Sequence, residues 1–76
     1  MQEILRTIIE SLVDNKDAIS INKIEQEKTI IFEVKVDKAD MGKIIGKQGK
    51  IAQSIRTIMK SIAYKEHKKI SIEFID

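Results

Sequence analysis

Cysteine and proline are both absent from this chain of 76 residues. Without cysteine, no disulfide framework and no thiolate metal site can hold it together, so the burial of apolar side chains must. Proline is missing along with any linker, repeat or low-complexity segment. The single histidine, His67, sits in "KEHKK" with no second histidine to complete a chelate, and it reads as a solvated residue. No apolar run approaches the ~18 residues a membrane span needs. The segment "MQEILRTIIE" also lacks the layout of a signal peptide. These absences point to a soluble cytoplasmic protein with no disulfide, metal or membrane anchor. At this length one domain is expected, residues 1–76. With 42% hydrophobic and 34% charged residues, it should fold rather than stay disordered.

Glycine is scarce too. All three lie between Gly42 and Gly49, inside "MGKIIGKQGKIAQSIRTIMKSIA". Charge is unevenly spread around them. The net charge is +2 overall, yet residues 1–34 carry −3 and residues 35–76 carry +5. From Met41 to Lys65 there are six basic residues and no acidic one. A one-sign stretch in an otherwise mixed chain suggests an anionic partner; a merely solvated face more often mixes Glu with Lys.

Hydrophobic periodicity gives the elements. Ile4, Leu5, Ile8, Ile9, Leu12 and Val13 recur at helical spacing up to about Asn15. "DAISINKIE" reads as a strand, "EQEK" as a turn, and "TIIFEVKV" as a second strand with Ile30, Phe32, Val34 and Val36 on one face. Asp40 is suited to cap a short helix from Met41 to about Ile45. Gly46 is expected to end it in the left-handed conformation. A longer helix runs from about Lys50 to Tyr64, and "KKISIEFID" alternates again with Ile70, Ile72 and Phe74 together. The order α-β-β-α-α-β predicts a two-layer α+β domain, three amphipathic strands covered by three helices.

The "GKQG" loop, Gly46–Gly49, joins two helices. Glycines there let backbone amides approach a ligand closely, and the following helix points the positive end of its dipole at the same place. That helix opens with "KIAQ", offering Lys50 and no carboxylate. Either the glycines only permit a tight turn, or an outside anion completes the site. No Lys-Ser/Thr pair follows, as a P-loop requires, and no Ser-His-Asp, Cys-His or carboxylate pair lies nearby. The pattern favours a binding site over an enzyme, with no cofactor called for.

"IIGKQGKIAQSIRTI" resembles the core of the K-homology (KH) RNA-binding domain, an apolar pair followed by G-x-x-G and a helix. The element order is similar to the type II form of that fold, with its mixed three-stranded sheet. Over nearly the whole chain the sequence resembles the KhpA family, small bacterial stand-alone KH proteins. The resemblance implies that Gly46, Lys47, Gln48 and Gly49 clamp the backbone of about four single-stranded RNA nucleotides. Ile44, Ile45 and Ile51, with Val34 and Val36, would shape an apolar groove for the bases; Ile44 and Val34 could equally be ordinary core. Lys43, Lys47 and Lys50 are the phosphate partners nearest the loop, with Arg56 and Lys60 farther along and Lys38 a weaker candidate. Phe32 and Phe74 fall on core faces, and Tyr64 lies too far along the helix to stack beside the loop. The family also implies self-association, pairing with a KhpB/Jag-type KH protein, and a role as an RNA chaperone or post-transcriptional regulator linked in some bacteria to cell elongation and division. A protein-interaction module with little RNA binding of its own is the alternative.

On the long helix, Ser54, Thr57 and Ser61 form a small uncharged patch beside Ile58. Small residues permit close helix approach, and Ile58 could anchor an interface. A two-fold homodimer through this face is one expectation. Burial of Ile58 in the monomer core is the other.

Overall fold

The computed structural model describes residues 1–46 and 48–75. The first apolar stripe forms α1, Gln2–Leu12, which buries Leu5 and Ile9. After one 3₁₀ turn at Lys16–Ala18, the chain enters β1, Ser20–Glu25, and returns along β2, Thr29–Lys35. Next come α2, Lys38–Ile45, and α3, Lys50–Lys65, before β3, Lys69–Phe74. The α-β-β-α-α-β order is the one expected.

The sheet runs β1-β2-β3. β1 lies antiparallel to β2, with Ile21 opposite Val34 and Ile24 opposite Ile31. β3 lies parallel to β2, with Ile30 beside Ile70 and Phe32 beside Ile72. Parallel neighbours need a long crossover, and α2 with α3 supplies it. The alternation then decides the faces. Ile30, Phe32, Val34, Ile70 and Ile72 join the helices in one core, while Lys35, Lys69, Ser71 and Glu73 are exposed. α3 contributes Ala52, Ile55, Met59 and Ala63 at spacings of three and four, the stripe of a helix lying on a core. Among the described residues, no helix is long and apolar enough to cross a membrane.

α3 stops without glycine. The Lys68 N–H donates to the Ala63 carbonyl at 2.9 Å and the His67 N–H to Tyr64 at 3.0 Å, a Schellman closure. His67, exposed as expected, takes the left-handed position at φ 58°.

One aspartate does not do what its position suggested. The cap of α2 is Asp37, whose carboxylate accepts from the Ala39 N–H at 3.0 Å. Asp37 leaves β2 with extended backbone, as a cap must. Asp40 lies one turn inside the helix and is 2% exposed. Its two oxygens accept the N–H groups of Asp14 and Asn15, each at 3.0 Å, where the chain leaves α1. Lys43, one turn on, lies 3.4 Å from the same carboxylate and also pairs with Asp14.

The Asp14 and Asn15 backbone donors, and then Lys43, hold the Asp40 carboxyl below its ordinary pKa. A depressed folded pKa adds stability that is present at neutral pH and disappears as pH falls below about 4 through the folded value. Asp40→Asn replaces one acceptor with a donor facing a donor. It should lower the melting temperature at pH 7 by several degrees and flatten its decline below about pH 4; an unchanged acid limb would remove Asp40 as its source.

Candidate nucleic-acid interface

The two helices meet at the glycine loop. α2 closes with the Gly46 N–H donating to the Gly42 carbonyl at 2.8 Å. The left-handed conformation expected of Gly46 at the helix end is not what the structure shows; its φ is −58° and its ψ 166°. Glycine is needed there for space. A Cβ would lie 2.6 Å from the Gly42 carbonyl oxygen, closer than side chains tolerate. The left-handed turn falls later, at Gln48 (φ 64°) and Gly49 (φ 70°). Gly49 adopts it at little cost, whereas Gln48 stores on the order of 1–3 kcal/mol, the kind of strain that gathers at ligand clamps.

Gly49 is the N-cap of α3, so no side chain satisfies the first-turn donors, and that turn holds no acid. Backbone N–H groups and the helix dipole therefore favour an anion in front of the loop. Gln48 and Lys50 are exposed beside it. Lys47 lies outside the described residues.

The other candidates divide. Ile45 and Ile51 are exposed, at 44% and 36%. Ile44 and Val34 are at 0% and Val36 is also buried, so Ile44 and Val34 have no surface to offer a ligand. Lys43 is engaged by Asp14 and Asp40. The Asp14 carboxylate chiefly, and Asp40 after it, raise its pKa. Its charge is therefore spent on the fold. Arg56 is also committed. Its Nε donates to the Ile72 carbonyl at 3.1 Å, an Nη donates to Gln53 at 3.1 Å, and the guanidinium stacks 5.4 Å from the Phe74 ring centroid. It builds a wall rather than reaching outward.

That wall belongs to a cleft between α3 and the open edge of β3, about 140 Å³ in volume and lined by Arg56, Lys60, Ile70, Ser71 and Ile72. The sequence pattern does not bring these β3 residues beside Arg56 and Lys60; the parallel pairing, which leaves β3 at an edge, does. On the opposite flank of α3 is a second depression of about 270 Å³, lined mainly by Ile8, Leu12, Ile51, Ile55 and Ile58. Ile51 thus faces α1, away from the cleft. Ile58 is 47% exposed, not core, and Ser54, Thr57 and Ser61 are exposed as well. Cations line the first flank, and the second is almost wholly apolar.

A G-x-x-G loop between two helices, packed on a mixed sheet in this order, defines a type II KH-like fold. The KhpA/KhpB KH-domain profile matches residues 2–74, and the chain belongs to that family. It is 52% identical over 75 residues to the RNA-binding protein KhpA of Caldanaerobacter subterraneus subsp. tengcongensis, covering 99% of this chain and 100% of that protein. It is 48% identical over 75 residues to the RNA-binding protein KhpA of Clostridium acetobutylicum, with the same coverage. With the RNA-binding protein KhpA of Aquifex aeolicus the figure is 42% over 76 residues, covering 100% of this chain and 96% of that one.

Two glycines on α2's last turn should respond oppositely to alanine. Gly42 is helical and a Cβ there meets nothing within 4 Å, so Gly42→Ala should stabilise by about 0.5–1 kcal/mol. Gly46→Ala forces backbone apart and should destabilise by about 1–3 kcal/mol. Urea unfolding of both variants decides it, and equal effects would contradict the loop geometry.

Proposed function

We propose that the protein binds single-stranded RNA without catalysing a reaction, clamping the backbone at Gly46–Gly49 and laying the bases into the α3–β3 cleft. The uncapped start of α3 supports this reading, since its donors and dipole are answered by no side-chain cap and no carboxylate of its own first turn. The relatives, named RNA-binding proteins, agree with it. Gln48, Gly49 and Lys50 hold the phosphates together with Lys47, while Lys60 extends the positive track. With no aromatic lining the cleft, affinity rests on phosphate contacts and aliphatic packing and is modest. Such a protein acts in the cytoplasm as an RNA chaperone or post-transcriptional regulator.

Replacing Lys47 and Gln48 together with Asp should weaken binding to a single-stranded oligonucleotide by at least about tenfold, through phosphate repulsion, while leaving the melting curve nearly unchanged. Aspartate tolerates the left-handed backbone at Gln48 better than most residues. If about three lysines each neutralise one phosphate, the wild-type slope of log affinity against log salt should lie near −2. Unaltered affinity in the double variant would sink the loop assignment, and a flat salt response would favour the interaction-module reading.

A second reading concerns the other flank. Ile58, Ile51 and, on α1, Ile4 leave apolar surface in water, with the small residues Ser54, Thr57 and Ser61 alongside. We infer that this flank forms a two-fold homodimer, leaving both loops open, and that a KhpB/Jag-type partner uses the same surface. The link to cell elongation and division would run through that partner. Ile58→Asp should give a folded monomer by light scattering; an intact dimer would place the interface elsewhere, and a monomeric wild type would remove it.

A further inference from the structure

Tyr64 is 81% exposed, while Phe32 is in the core and Phe74 is half-buried beneath Arg56. Its ring stands between two shallow hollows. One, about 310 Å³, is lined by Lys60, Lys68, Lys69 and Ile70 as well as the tyrosine. The other, about 450 Å³, lies toward Thr57, Ser61 and Lys65, again with Lys60 at its border. Lys60 and Ile70 also line the α3–β3 cleft, so the first hollow continues the cleft. On the helical wheel Tyr64 falls about 40° from Lys60, on the basic side of α3.

The surroundings suit a polyanion. Lys68 is paired with Glu25 at 2.6 Å, but among the described residues Lys60, Lys65 and Lys69 make no ion pair. Glu66, next in sequence to Lys65, and Glu27, next to the Lys28 whose carbonyl accepts from the Lys69 N–H, are acids exposed to solvent nearby. The Schellman closure fixes the turn behind the ring, at Ala63–Lys68. Tyr64 lies about 21 Å along α3 from Lys50 at 1.5 Å per residue, well past the loop that grips the first phosphates.

Resting on the reading of the α3–β3 cleft as the RNA groove, we propose that Tyr64 is an aromatic platform for the base that leaves its far end, with Lys60, Lys65 and Lys69 holding the flanking phosphates. The bound strand is therefore longer than the roughly four nucleotides a G-x-x-G loop clamps. Stacking accepts any base, because every base has a π-face, so the platform adds affinity without dictating sequence.

The chain has one tyrosine and no tryptophan, so its intrinsic emission reports this ring alone. Oligoadenylates of four and eight nucleotides serve as probes. The octamer should quench the emission and bind roughly tenfold more tightly than the tetramer; Tyr64→Ala should abolish that advantage and Tyr64→Phe should keep it. An octamer that binds with unquenched emission, or as tightly to Tyr64→Ala, overturns the platform. So does quenching that follows protein concentration without RNA, which would put Tyr64 in self-association. Loss of the clamp reading looks different: the tetramer then fails to bind, or binds the Lys47→Asp/Gln48→Asp protein equally well.

Discussion

The Asp40 carboxylate ties the α1 end of the molecule to the helix that leads into the loop. A buried charge is costly unless paired and hydrogen-bonded. Here two backbone donors, Asp14 N–H and Asn15 N–H, and the Lys43 ammonium meet both oxygens. The contact fixes where the chain leaves α1 relative to α2, and α2 in turn sets the point from which Gly46 launches the loop. Aspartate is suited to this because its short side chain keeps the carboxylate close to the helix that bears it. The arrangement occupies Lys43, in the loop's own helix, with the carboxylates of Asp14 and Asp40.

α3 is the wall that the two sides of the molecule share. One flank is basic and faces the edge of β3; the other is apolar and faces α1. The core stripe of Ala52, Ile55, Met59 and Ala63 lies between them on the buried side of the helix. The left-handed pair at Gln48 and Gly49, strained only at Gln48, stands at the head of this wall. A loop held in that conformation before any ligand arrives loses less entropy on binding, which is the advantage of preorganisation.

Much of the fold was legible because period decides faces. Ile30, Phe32, Val34 and Val36 alternate and are buried; Leu5 and Ile9 recur helically and are buried. Capping was harder, since Asp37 and Asp40 have the same chemistry and only the path of the backbone out of β2 selects the first. The loop glycines were recognised, but periodicity carries no dihedral angles, so the left-handed turn was placed at Gly46 when it occurs at Gln48 and Gly49. The α3–β3 cleft was out of reach for a similar reason: Ile70 and Ile72 line it, and their position depends on a pairing between distant segments.

That distant pairing also fixes an order of events during synthesis. β3 follows α3 in the chain and pairs with β2 across both intervening helices, Lys69 coming beside Thr29. Contacts of such separation form late, because the chain between them must first be ordered. A nascent chain that has emerged only as far as α3 possesses the glycine loop but not the second wall of the cleft. The α3–β3 cleft therefore exists only after β3 has left the ribosome and paired with β2.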